Sequence, residues 1–239
     1  MRPSSFVFRL SSKLLHMTYQ NASGDYALTL ADEQIYLLPE RAIWWPAATT
    51  LLIADVHLGK TAAFLAFARA APQGDANADL ERLSALIERT NASRVVILGD
   101  LVHARAAHTP PVLKSFAAWR ARHPTLDLLL IRGNHDQNAG DPPTEWRIAC
   151  VDEPFALGPF ALAHYPDVVA PGYLLAGHVH PAVRLVGRGR QNERLPCFLF
   201  GPQRGILPAF GSFTSAADMF PNATEQVYVI ADQTVQPIR

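Results

Sequence analysis

The chain has 239 residues, 49% of them hydrophobic and 18% charged, a balance that can bury a sizeable core and excludes a disordered or fibrous chain. Its 21 basic and 21 acidic residues cancel, so it lacks the strong positive field that draws in a long nucleic-acid footprint. No apolar run approaches the roughly 18 residues of a membrane-crossing helix, which points to a soluble protein with no membrane partner.

Residues 1–16 carry Arg2, Arg9 and Lys13 but no sustained apolar stretch before a small-residue cleavage site, unlike a secretory signal. Met17 is an alternative start, so residues 1–17 are expected to be a disordered tail or an upstream extension, and residues 18–239 one domain. Cys150 and Cys197 are far apart and outside any Cys-x-x-Cys spacing. They indicate neither a disulfide framework nor a thiolate metal site, and a reducing cytoplasm is the expected compartment.

In chain order, residues 26–38 alternate apolar and polar around Ala31-Asp32-Glu33 and predict a hairpin that could cover a sheet edge. Trp44 and Trp45 are expected to pack at the edge of that hairpin rather than to stack on bases. Residues 50–54 form an apolar run that stops at Asp55-Val56-His57, as a buried strand stops at its carboxyl end. Leu80, Leu83, Leu86 and Ile87 have helical spacing within residues 78–90, and residues 94–98 predict a second buried strand ending at Gly99-Asp100. Pro110 and Pro111 suit a helix start. Three further apolar runs follow: residues 126–131 end at Gly133-Asn134-His135-Asp136, residues 160–163 at His164, and residues 173–176 at Gly177-His178-Val179-His180. Residues 182–186, 197–200 and 226–230 predict strands of a second sheet.

Polar clusters that recur after successive apolar runs belong at the carboxyl edge of an α/β sheet, where loops diverge and ligands bind. In Asp55-Val56-His57 and His178-Val179-His180 the outer side chains share a side if the chain is extended. Gly177 lets the backbone come close. Asp100 offers two carboxylate oxygens, suited to bridging divalent ions about 3.5–4 Å apart. Asn134 adds a neutral oxygen and His164 another imidazole. Mixed nitrogen and oxygen ligands without sulfur favour two divalent transition-metal ions, manganese first and iron, zinc or nickel as alternatives.

Together, Asp55-Val56-His57, Gly99-Asp100-Leu101-Val102-His103, Gly133-Asn134-His135-Asp136, His164 and Gly177-His178-Val179-His180 resemble the calcineurin-like metallophosphoesterase pattern, in order, over residues 50–180. Leu58-Gly59-Lys60, His180-Pro181 and the run Leu207-Pro208-Ala209-Phe210-Gly211-Ser212-Phe213-Thr214 look more narrowly like the bacterial ligase-associated DNA damage response endonucleases. Ser215-Ala216 departs from the Thr-Gly-Gly that usually continues that last motif.

The resemblance implies a four-layer α/β sandwich of two mixed β-sheets flanked by helices. It implies that Asp55, His57 and His180 hold one ion, that Asn134, His164 and His178 hold the other, and that Asp100 bridges. By the same resemblance His135 protonates the leaving oxygen, Asp136 orients the His135 ring, and His103 contacts substrate. It further implies a phosphodiesterase or endonuclease acting on DNA in bacterial repair, beside an ATP-dependent DNA ligase and a helicase. The alternatives are a phosphodiesterase or phosphatase for a small nucleotide-like substrate, or a non-catalytic scaffold of the same fold. Lys60 and Arg132 are read as solvated charges, and the abundance of arginine reflects base composition, so no arginine is singled out.

Overall fold

Seven strands form one sheet in the order β1 (Tyr26–Leu30), β2 (Glu33–Leu38), β3 (Ala42–Trp45), β4 (Thr50–Ile53), β5 (Arg94–Leu98), β6 (Asp127–Ile131) and β7 (Ala149–Val151). The chain runs antiparallel through β1–β4 and parallel from β4 to β7. This computed structural model describes residues 24–60, 76–105, 108–186, 192–212 and 214–238; the expected tail and start at residues 1–17 lie outside them. The hairpin is present, but it extends the sheet through β3 instead of capping an edge. Trp44 and Trp45 pack along the β2 edge of the hairpin, Trp44 opposite Tyr36, in β3, which is itself an interior strand of the sheet, and they are 3% and 4% exposed.

The second sheet runs in the order β14 (Ala217–Asp218), β11 (Pro181–Val186), β12 (Asn192–Phe200), β13 (Arg204–Ile206), β10 (Tyr173–Ala176), β9 (Phe160–Ala163) and β8 (Phe155–Leu157). Two more strands, β15 (Gln226–Ala231) and β16 (Thr234–Ile238), join it through β12. It too mixes parallel and antiparallel pairs.

The unbroken apolar runs are explained by burial on both faces. Leu51, Ile53, Val95, Ile97, Leu128 and Leu130 point outward, onto Leu83 and Leu86 of α1 (Ala76–Thr90) and Phe116 and Trp119 of α2 (Pro110–Arg122). Their neighbours Leu52, Val96, Leu98, Leu129 and Ile131 point inward and meet Phe160, Leu162, Leu175 and Phe198 of the second sheet. Trp45 closes against Phe160 edge-on, rings 5.0 Å apart. The α/β sandwich of two mixed sheets is therefore present, with α1 and α2 on the outer face of the first.

Register brings the strand ends together. β4 pairs Ile53 with Ile97 of β5, and β5 pairs Leu98 with Ile131 of β6. In the second sheet Ala163 of β9 pairs with Ala176 of β10. All five polar clusters thus leave at the carboxyl ends of aligned parallel strands.

Candidate metal centre

Five of the predicted ligands have a left-handed backbone: Asp55 (φ 54°), His57 (51°), Asp100 (54°), His178 (69°) and His180 (52°). This corrects the expectation of extended Asp-x-His and His-x-His segments. Such a conformation costs on the order of 1–3 kcal/mol per residue and persists only where the surroundings impose it. Here the Asp55 amide donates to the Gly99 carbonyl at 3.1 Å, His57 to Asp100 at 2.8 Å and Gly177 to His164 at 3.1 Å. Glycines make the close approach feasible. A Cβ on Gly99 would overlap the His164 ring, and one on Gly177 would lie 2.7 Å from Asp55 Oδ2.

The side chains nevertheless converge. Ligand atoms of Asp55, His57 and His180 lie within 4.8 Å of one another, as do those of Asp55, Asp100 and His164. Asp55 and His164 are fully buried, and Asp100 is 2% exposed. His164 Nε2 lies 3.0 Å from Asn134 Oδ1, 3.0 Å from His178 Nδ1 and 3.6 Å from Asp100 Oδ1. The seven predicted ligands are thus brought to one locus, with Asp55, His57, Asp100 and His164 buried, Asn134 and His180 partly buried and His178 on its exposed side.

Several imidazoles are tethered by Nδ1 and turn Nε2 inward. His164 Nδ1 donates to the Leu98 carbonyl at 3.2 Å and His180 Nδ1 to the Ser215 carbonyl at 2.7 Å. His57 Nδ1 lies 3.2 Å from His103 Nδ1. With the His164 and His180 protons so placed, the inward nitrogens of those neutral rings present lone pairs, and lone pairs facing carboxylate oxygens repel unless a positive charge lies between them. His180 Nε2 is 3.3 Å from Asp55 Oδ1, and His57 Nε2 is 3.7 Å from Asp100 Oδ2. Asp55 Oδ1, His57 Nε2 and His180 Nε2 are buried without a hydrogen-bond partner of good geometry. Buried polar atoms without partners are costly, and a divalent cation bound by this oxygen and nitrogen set satisfies them.

Burial, aided by Lys60 and the neighbouring histidines, pushes His57 down to about 2, leaving its ring neutral and able to ligate. Burial also lowers His178. At His180 burial acts in the same direction, but the Asp55 carboxylate outweighs it and the net shift is upward. Asp100 is raised, chiefly by burial. A bound cation opposes that shift by favouring the carboxylate.

The His135 ring is held by a different group from the one expected. His135 Nδ1 lies 2.5 Å from the His103 backbone carbonyl, which can only accept, so Nδ1 carries the proton and Nε2 faces the cleft 3.9 Å from Asp100 Oδ2. The His103 ring stacks on it at 4.7 Å, 24° between planes, and burial pushes His103 down to about 4. Asp136 makes no hydrogen bond to the His135 ring. Its carboxylate, 1% exposed, accepts the amides of Asp100 (2.7 Å), Val102 (3.1 Å) and Gly133 (3.0 Å). Those bonds tie the β5 and β6 loops together at the start of α3 (Asn134–Ala139).

Arg132 is engaged by Asp141 at 2.7 Å and Asp152 at 2.9 Å, which fits a structural charge. Lys60 is half-buried, lowered by burial, and close enough to Asp100 and Asp55 to feel both. Sequence reasoning missed Glu153, whose carboxylate accepts the amides of His164 (2.7 Å) and Tyr165 (3.0 Å) and so seats the His164 loop. It also missed the Ser215 and His103 carbonyls, since a backbone oxygen leaves no mark in residue type.

A model of the calcineurin-like phosphoesterase family matches residues 48–169. A crystal structure of the Pseudomonas putida nuclease MPE is 42% identical, covering 90% of this chain and 100% of that chain, with a TM-score of 0.79. Yfce, a phosphoesterase from E. coli, is 15% identical over 79% of this chain and 97% of that chain, and its TM-score of 0.39 is too low to support an inference. No curated protein matches the chain.

Proposed function

Because the chain belongs to the calcineurin-like phosphoesterase family and hydrolyses phosphoester bonds with divalent metal ions, we propose that its substrate is a nucleic-acid phosphodiester, cut endonucleolytically. The observation that carries this reading is the 42% identity to the P. putida nuclease MPE across the whole length of that chain. The wider proposal is a domain over residues 18–239 that uses manganese, works in the cytoplasm and repairs DNA beside an ATP-dependent ligase and a helicase. The two free cysteines are consistent with that compartment.

Asp55, His57 and His180 are assigned to one cation, Asn134, His164 and His178 to a second, and Asp100 to both. A pair of divalent ions in such a site polarises a phosphoryl group and lowers the pKa of water. The protein's own groups do the rest. The His103 carbonyl holds the His135 proton on Nδ1, so protonated His135 presents Nε2–H at the mouth of the site, 35% exposed on its side chain, for the departing oxygen. His103 is the assigned substrate contact beside it. Asp136 holds the loop that carries His135, a positioning role in place of direct contact with the ring.

The test compares wild type and His135→Ala on single-stranded and nicked DNA and on bis-p-nitrophenyl phosphate, with Mn²⁺. General-acid loss lowers kcat on DNA by about 10²–10⁴. The effect on the nitrophenyl ester is much smaller, since its leaving group needs no proton. Equal rates for both proteins on DNA remove His135 from the mechanism. Cleavage of the small ester but of no polynucleotide favours the small-substrate alternative.

A further inference from the structure

A small cavity of about 170 Å³ adjoins the metal centre, with His180 in its wall and Arg41, Arg194 and Ser212 around it. Arg41 comes from the turn between β2 and β3 and has a left-handed backbone (φ 69°) fixed by its amide bond to the Leu38 carbonyl at 3.0 Å. Its guanidinium is partly buried and, among the described residues, has no ion pair. Its hydrogen bonds are two long ones of 3.5 Å, to the carbonyls of Ala209 and Gly211.

The nearby acid groups are already committed. Asp79 is taken by Arg82 at 2.9 Å and by the Ser212 amide at 3.0 Å and hydroxyl. Asp218 is shared by Arg194 at 2.6 Å and Arg184 at 3.2 Å. Positive charge therefore exceeds negative around the cavity, in a protein whose total charge is zero. Burial first, then Arg82, hold Arg41 below its ordinary value, and the pull of Asp79 in the other direction does not offset them. A partly desolvated guanidinium with unused donors is suited to bind an anion, and its planar fork matches phosphate.

We infer that Arg41, with Arg194 beside it, forms a second phosphate subsite that receives the neighbouring phosphate of a polynucleotide whose scissile phosphate lies in the metal centre. This deepens the nuclease reading and rests on it. It also supplies the charge that net composition withholds: one local guanidinium cluster beside the reacting group replaces a broad basic face.

A competing role for Arg41 is bracing. The loop it touches packs on the Asp55 turn, where the Phe210 amide donates to the Ala54 carbonyl at 2.7 Å and Gly211 to Asp55 at 3.1 Å. Bracing would be felt by every substrate, whereas a subsite is felt only by substrates with a second phosphate.

The experiment uses full-length manganese-loaded protein, wild type and the variants Arg41→Ala and Arg41→Lys, each first checked for its melting temperature. It measures kcat/KM on a single-stranded oligonucleotide and on bis-p-nitrophenyl phosphate. Losing a charged phosphate contact should lower the oligonucleotide-to-small-ester ratio about 10- to 100-fold in Arg41→Ala, mostly through KM, with partial recovery in Arg41→Lys. The dependence of log K for oligonucleotide binding on log salt should become shallower by about 0.7. A second arm measures inhibition of small-ester hydrolysis by a deoxynucleoside 3′,5′-bisphosphate and by the 5′-monophosphate. Stronger inhibition by the bisphosphate that disappears in Arg41→Ala supports the subsite. An equal fall on both esters, or no change in ratio or inhibition, overturns it. Absence of oligonucleotide cleavage by wild type refutes the nuclease reading instead, and the bisphosphate arm still decides the subsite.

Discussion

His180 Nε2 faces Asp55 Oδ1 across 3.3 Å, yet neither atom has a hydrogen-bond partner of good geometry. The Ser215 carbonyl holds the His180 proton on the far nitrogen, so two electron-rich atoms are turned towards each other in a buried setting. A cation between the two atoms, or a second proton on His180, which Asp55 favours, would relieve that arrangement.

Metal should therefore stabilise the fold measurably. At a hundred times its dissociation constant a ligand bound only by the native state adds about 2.7 kcal/mol, which for a chain of this size is roughly 5–10 °C in Tm. Calorimetric melts with Mn²⁺ or with EDTA should differ by that amount, and Asp55→Asn should shrink the difference. Indistinguishable melts with and without metal would contradict the ligand assignment.

Asp136 is expected to behave as a structural anchor. Removing its carboxylate in Asp136→Ala strands three buried amides, a loss of about 3 kcal/mol or more, since each unsatisfied donor costs about 1–3 kcal/mol. Asp136→Asn, which keeps an accepting oxygen, should lose less. Chemical denaturation of both variants beside His135→Ala checks this: His135→Ala should unfold near wild type, and an Asp136→Ala protein of unchanged stability would refute the anchoring role.

The metal-free protein should weaken as pH falls. Folded His57 and His103 are held near 2 and 4, mainly by burial, while in the unfolded chain both protonate near about 6.5. Below that pH the unfolded state binds more protons, so their contribution is intact above about 6.5 and is lost progressively towards the folded values. His180, raised on balance by Asp55, and the Asp136 and Asp100 carboxyls, raised chiefly by burial, act in the opposite sense, so the diagnostic comparison is wild type against His57→Asn. In EDTA the wild-type Tm should drop from pH 7 to pH 5 and the His57→Asn curve should be flatter; parallel curves would exclude His57 as a source.

Much of the site was legible before any tertiary contact was known. The runs ending at Asp55, Asp100, Asn134, His164 and His178 are central strands buried on both faces, and such strands announce themselves by continuous hydrophobicity. Their ends hold the polar residues, and those residue types suit cation binding. The strand Ala42–Trp45 was not separated from its hairpin, because an uninterrupted apolar tetrad has no period that distinguishes a strand interior from an edge.

Sequence by itself determined which residue types end the buried strands and in what order the strands deliver them, because apolar periodicity and side-chain chemistry are properties of residue type. Only the tertiary structure decided the left-handed turns at Asp55 and His57, the Nδ1 tethers to the Ser215 and Leu98 carbonyls, the diversion of Asp136 to backbone amides and the placing of Arg41 beside His180. Those features depend on partners remote along the chain, often backbone atoms that every residue carries alike. No local pattern encodes which of them will meet.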